Sequence, residues 1–237
     1  MMFERRPVVR ALNPELDRKI GELRCPFLCL IEGPNDSGKS VLAQQYTYGA
    51  LNMGLRALYI TTETGARSLL KSMEEITLLV RHHFLTGRLQ IFELHVKNLE
   101  WDSELSARFL ELILRTMHVR KRYNLYIIDS LTYLVTHAKP EDILNFFTET
   151  RNIVDDEEKS VIITVHPYAF DQEMLIRMRS VCDVHFILSV KEIGDKIIKM
   201  LQVPKLKGAV KPSSITLSFD VDPAFGIRVL PFSQAKA

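Results

Sequence analysis

Five short apolar runs, rich in β-branched and aromatic residues, punctuate the chain at Phe27 to Ile31, Ala57 to Thr62, Leu89 to His95, Leu125 to Ile128 and Val161 to Val165. Unbroken runs of this length predict strands covered on both faces. Between them, apolar positions recur every three to four residues, the period of a helix. Val41 to Met53 places Leu42, Tyr46, Ala50 and Met53 on one face and then meets Gly54, a helix terminator. Ser103 or Glu104 opens a longer helix with a stripe of Leu105, Phe109, Leu112, Ile113 and Met117. Pro140 opens another through Ile143, Phe146, Phe147 and Ile153, and Ala66 to Met73 reads as a shorter one.

Strands alternating with helices require crossover connections, and so predict a mostly parallel central sheet flanked by helices. Beyond Asp183 the pattern changes. Val184 to Lys191, Lys196 to Val203, Ile215 to Phe219 and Ile227 to Leu230 follow closely on one another, with turn signals such as Gly194-Asp195. They predict a C-terminal antiparallel extension of the same sheet. No Pro/Gly/Ser-rich linker divides the chain, so one α/β domain over residues 1–237 is expected.

Composition narrows the class. The chain is 46% hydrophobic and 25% charged, enough apolar material for one sizeable core. A formal net charge of +2 lacks the strongly basic balance of a protein whose main partner is a nucleic-acid backbone. Its densest basic stretch, Arg120-Lys121-Arg122, falls at the end of a predicted helix, where it complements the carbonyl end of the macrodipole. Cys25, Cys29 and Cys182 fit neither a disulfide framework nor a zinc knuckle, which predicts buried thiols in a reducing cytosol. His82, His83, His95 and His118 show no metal-ligand spacing. The N-terminal residues hold no signal-peptide core, and no run approaches the roughly 18 apolar residues of a membrane span. A cytoplasmic protein is expected, reaching a membrane only through partners.

The sharpest chemical signal follows Leu28-Cys29-Leu30-Ile31. There the chain reads Gly33-Pro34-Asn35-Asp36-Ser37-Gly38-Lys39-Ser40 and continues into the predicted helix at Val41. Strand, glycine-containing loop and helix in this order make a phosphate loop, the Walker A pattern of nucleotide-binding proteins. Its backbone N–H groups and the helix N-terminus meet phosphate charge. Lys39 would reach the outer phosphates, and the Ser40 hydroxyl would ligate magnesium. Gly33 to Ser40, with Val41, are therefore the expected nucleotide-binding segment, and ATP with Mg2+ the expected ligands.

Leu125 to Ile128 delivers Asp129 to the C-terminal edge of the sheet, where open α/β sheets bind ligands; with Ser40 it is the expected magnesium site. Ser130 follows, where many ATPases carry a glutamate that positions water. Tyr59-Ile60-Thr61-Thr62-Glu63 offers a substitute. Glu63 would orient or deprotonate the attacking water if its strand neighbours the phosphate-loop strand. A glutamate here also suits the start of the helix at Ala66, and the sequence leaves both roles open.

Together these pieces resemble the KaiC-like branch of the RecA superfamily. Leu16-Asp17, the loop, Tyr59 to Glu63, Tyr126 to Ser130 and Leu206 to Gly208 spread the resemblance over nearly the whole chain. GPNDSGKS, YITTET and TVHPYAF (Thr164 to Phe170) are similar to the accessory ATP-binding proteins of the archaellum, the archaeal flagellum. The resemblance implies a RecA/KaiC-like P-loop fold in an archaeal cytoplasmic protein that forms a homo-hexameric ring. That ring would work at the cytoplasmic face of the membrane with the motor ATPase FlaI and, in crenarchaea, the scaffold FlaX. It also implies a catalytic role for Glu63. His166 stands where such proteins sense the γ-phosphate, although a strand-end histidine is equally a satisfied hydrogen-bonding group. Lys205 and Lys207 match residues that cross to the next subunit's γ-phosphate, or are two solvated lysines before a glycine turn.

Two departures stand out. Thr64 follows Glu63 where KaiC-type sites carry a second glutamate, which predicts slow hydrolysis or none. Gly21-Glu22-Leu23-Arg24 replaces the usual Gly-Gly before the first core strand. Three functions compete: a regulatory ATP-binding ring, a RecA/RadA-like DNA-stimulated ATPase, and an autokinase acting on Thr61, Thr62 or Thr64.

Overall fold

The computed structural model describes residues 6–94, 100–193, 196–208 and 215–231; the Gly194-Asp195 turn signal and His95 lie outside them. In chain order the elements are β1 (Val8–Val9), α1 (Pro14–Lys19), β2 (Leu23–Arg24), β3 (Leu28–Glu32), α2 (Lys39–Asn52), β4 (Ala57–Thr61), α3 (Ala66–Glu75), α4 (Arg81–Leu85) and β5 (Leu89–Glu93). They continue with α5 (Ser103–Val119), β6 (Leu125–Asp129), α6 (Thr132–Val135), α7 (Pro140–Asp156), β7 (Ser160–Val165) and α8 (Gln172–Val181). The antiparallel part is β8 (Val184–Ile193), β9 (Lys196–Leu206), β10 (Ile215–Asp222) and β11 (Gly226–Leu230).

One nine-stranded sheet takes the order β11-β10-β9-β8-β3-β7-β6-β4-β5. Pairing is parallel from β8 through β3, β7, β6 and β4 to β5, and antiparallel from β8 outward through β9, β10 and β11. The fold is the expected KaiC/RecA-like arrangement of a mostly parallel sheet with an antiparallel C-terminal extension.

Strand periodicity sorts the core into two faces. Cys29, Ile31, Tyr59, Ile127 and Ile162 join the cluster that packs α1 and α2. Leu28, Leu30, Ile60, Ile128 and Ile163, their neighbours in sequence, join the cluster under α5, α6, α7 and α8. Both faces are covered, which explains why the strand sequences are unbroken apolar runs.

Helix α2 is buried on more than its predicted stripe. Leu42, Tyr46 and Ala50 are buried as expected, whereas Met53 lies just past the helix and is 37% exposed. The far side of α2 is covered by the N-terminal segment: Gln45 Nε2 donates to Ala11 O at 2.7 Å. A Cβ on Gly49 would stand 1.7 Å from Arg10 O, so only glycine lets the segment cross there. Leu23 and Arg24 pair with Val9 and Val8 in a small antiparallel sheet, the local form of the Gly21-to-Arg24 departure.

The predicted stripe of α5 is rotated. Ser106, Leu110, Ile113 and Met117 face the sheet, while Leu112 is 40% exposed and Phe109 packs on Trp101 at the flank. The buried positions run 106, 110, 113, 116 and 117, a helical repeat one residue on from Leu105 and Phe109. All three cysteines are buried and free. Among the described residues no helix is long and apolar enough to cross a membrane.

Candidate functional site

The loop between β3 and α2 is built from both ends. At its start, Glu32 is 1% exposed, immediately before Gly33. His185 Nε2 lies 2.6 Å and Arg179 2.8 Å from Glu32 Oε1. Burial raises the carboxyl pKa, but these two partners outweigh it and hold Glu32 ionised below its ordinary range. At the far end Gly38 caps α2 with φ 95°, and a Cβ there would stand 3.2 Å from the Phe219 ring. Conformation and space both demand glycine.

Leu42 N is the first helical N–H bonded within α2, to Gly38 O at 2.9 Å, which leaves the earlier N–H groups of the helix without intrahelical partners. Lys39 is 7% exposed and its Nζ donates to Pro34 O at 2.7 Å. Burial lowers the Lys39 pKa to about 8, against the upward pull of Asp129, Glu63 and Asp36. An anion arriving there would find donors already assembled.

Asp129 ends β6, two strands away from β3. Its Oδ1 accepts from Ser40 Oγ at 3.0 Å and from Thr164 Oγ1 at 2.7 Å; its Oδ2 accepts from Tyr59 OH at 2.5 Å. A buried carboxylate beside a serine hydroxyl is a hard-oxygen donor set that fits Mg2+. Ser40 and Asp129, separate in sequence, would hold the ion, which supplies charge to offset the phosphates.

Glu63 arrives by a different route from the one expected. Its strand, β4, does not neighbour β3; β7 and β6 stand between them. The segment after β4 instead folds over the end of β6, where Thr62 N donates to Asp129 O at 3.1 Å and Thr62 Oγ1 to Ser130 O at 2.9 Å. Glu63 thereby lines a cavity of about 610 Å³ together with Asn35, Lys39, Ser40, His166 and Lys199.

His166 caps the short turn after β7, and its backbone N–H donates to Thr132 Oγ1 at 2.9 Å. The buried Nδ1 has no hydrogen-bond partner among the described residues. Burial, then Lys39, lower the ring pKa, while Asp129 opposes them, so the imidazole is neutral at physiological pH. His166 is one of the residues lining the cavity, so a neutral imidazole stands at its wall.

A family model described as ATPase: KaiC matches residues 11–234. Over 97% of its length the chain is 35% identical to the archaeal flagellar ATP-binding protein FlaH of Sulfolobus acidocaldarius, all of whose length is covered. The chain belongs to the FlaH family of KaiC-type ATPases. Its fold matches a crystal structure of the flagellar accessory protein FlaH from Methanocaldococcus jannaschii with TM-score 0.81 at 22% identity, covering 94% of this chain and 98% of that one. A KaiC-like protein from Pyrococcus horikoshii matches with TM-score 0.75 at 19% identity, covering 95% and 99%.

Several positions of this FlaH-family site escaped the sequence reading. Tyr59 and Thr164 hold Asp129 from inside buried strands, where nothing but their polarity marks them. Lys199 does carry a signal: it alternates with Leu201 and Val203 on one strand face, in phase with buried residues. Lys205 and Lys207 do not line this chain's cavity. Lys205 Nζ donates to Ser180 O at 2.9 Å and Arg179 O at 3.3 Å, at the C-terminal end of α8; Lys207 Nζ lies 3.1 Å from Asp183 Oδ1. Both stand at the opposite end of β9 from Lys199.

Proposed function

We propose that this chain is an ATP-binding regulatory and assembly component of the archaellum motor. In this reading, ATP bound at the loop stabilises a homo-hexameric ring that docks on the motor ATPase FlaI and, in crenarchaea, works with the scaffold FlaX at the cytoplasmic face of the membrane. The observation that carries the nucleotide part is the 3.0 Å bond joining Ser40 of the loop to Asp129 of β6, with Lys39 and Glu63 in the same cavity. The archaellum part rests on the family, whose relatives are archaeal flagellar ATP-binding proteins.

Lys39 and the loop amides would bind the phosphates, Ser40 and Asp129 the magnesium, and Glu63 would take a proton from water. One carboxylate followed by Thr64 supports slow turnover at most. Lys207, and with it Lys205, would complete the neighbouring subunit's site. Of the three threonines offered to an autokinase, Thr61 and Thr62 are 2% and 4% exposed and hydrogen-bonded to Thr64 O and Ser130 O. Thr64 is the exposed one, and any phosphorylation of this trio is assigned to it.

Light scattering after size exclusion, with and without MgATP, tests the reading. A nucleotide-dependent shift from monomer to ring supports it. A monomer at every nucleotide concentration sinks the assembly role, and tight DNA binding at physiological salt would move the assignment to a DNA-stimulated ATPase.

A further inference from the structure

Lys199 belongs to β9, in the antiparallel extension. Its strand face also carries Leu201 and Val203, 1% and 3% exposed, so strand alternation directs Lys199 toward the body of the protein. Beyond the edge of that apolar pair it reaches the phosphate loop. Its Nζ donates to Asp36 O, and its Cδ stands 3.7 Å from where a Cβ on Gly38 would sit. It lines the same cavity as Lys39, Ser40 and Glu63.

Lys39 makes the same kind of contact two residues away, on Pro34 O. Two ammonium groups therefore rest on carbonyls of one loop. A carbonyl is a neutral acceptor, whereas a phosphate oxygen carries charge and adds a direct Coulomb attraction to the ammonium. The carboxylates of Asp36, Glu63 and Asp129 surround Lys39. With Lys39 as the sole lysine, the cavity would repel an incoming polyphosphate; a second cation redresses that balance.

We propose that Lys199 is a nucleotide-contact residue, whose ammonium leaves Asp36 O for an oxygen of the bound nucleotide's phosphate chain. The antiparallel extension then takes part in binding as well as the parallel core. This rests on the reading that the loop holds a nucleotide.

Calorimetric titration of ATP and ADP into wild type, Lys199→Ala, Lys199→Arg, Lys199→Gln and Lys39→Ala tests it, at low and physiological salt. Lys199→Ala and Lys199→Gln are expected to lose about tenfold in affinity for both nucleotides, with a weaker salt dependence. Lys199→Arg should stay within about twofold of wild type, since the charge remains. Wild-type affinity in the alanine or glutamine variant would overturn the proposal, the latter because a neutral donor would then suffice to clamp the loop. Amide hydrogen exchange of residues 35–41 without nucleotide should be unchanged in Lys199→Ala; a loosened loop would assign the affinity loss to structure and overturn the proposal as well. Nucleotide binding lost in Lys39→Ala but intact in Lys199→Ala defeats this inference alone, while a wild type that binds neither nucleotide defeats the functional reading with it.

Discussion

The Tyr59 hydroxyl donates to Asp129 Oδ2 at 2.5 Å, from one buried strand to the next, with Tyr59 wholly buried. Burial raises the phenol pKa, and the Asp129 charge and hydrogen bond raise it further, so Tyr59 remains a donor at every pH the protein meets. This bond fixes the side of the carboxylate that Ser40 does not touch. Tyr59→Phe keeps the ring and removes the donor. It should lower the unfolding free energy by about 1–2 kcal/mol and blunt the magnesium-dependent part of ATP binding. Denaturant melts and titrations with and without magnesium check both; equal values for wild type and variant would show the bond to be idle.

Burial pushes the Lys39 pKa down to about 8, against the pull of Asp129, Glu63 and Asp36. Only the ammonium form attracts phosphate, and a bound phosphate drives its pKa up, so binding takes up a proton above that pH. Nucleotide affinity should therefore fall as pH rises through 8, steepening toward about tenfold per unit. Lys39→Arg, protonated throughout, should bind with a flat profile over the same range. A flat wild-type profile would refute the lowered pKa.

Lys205 and Lys207 should separate when changed singly. Lys205 sits on the last carbonyls of α8, where a cation complements the helix end, so Lys205→Ala should cost about 1 kcal/mol of monomer stability. Asp183 keeps Arg151 at 2.6 Å and Leu28 N at 3.0 Å without Lys207, whose side chain is 74% exposed. Lys207→Ala should leave the melt unchanged and remove nucleotide-dependent assembly. Rings that form normally in Lys207→Ala would show that it does not serve the neighbouring site.

His83 is 3% exposed and neither ring nitrogen has a hydrogen-bond partner among the described residues. Burial, then His82 and Arg88, push its pKa down to about 4 from 6.5. The unfolded chain takes up this proton first, so stability must fall as pH drops from 6.5 toward 4. His166, lowered in the same direction, adds to the loss. His83→Phe should flatten the stability profile in that window, by on the order of 2 kcal/mol at its acid end. Urea unfolding at stepped pH measures it, and parallel profiles would contradict the buried neutral ring.

Hydrophobic pattern alone determined the alternation of elements, the parallel core and the antiparallel extension, because strands covered on both faces must be apolar throughout and helices apolar on one side. The phosphate loop was legible from residue identity instead, since eight contiguous residues, Gly33 to Ser40, carry that chemistry between a strand and a helix. Whatever depends on pairing distant segments was left to tertiary structure. Strand order decided that Glu63 reaches the cavity over the end of β6 rather than from beside β3. Tertiary packing decided that α5 buries Leu110 and leaves Leu112 exposed. The register of β9 put Lys199 at the loop and Lys205 under α8, though both are lysines on one strand. A side chain's partners across a sheet are set by pairing between residues far apart in sequence, and no local pattern encodes that pairing.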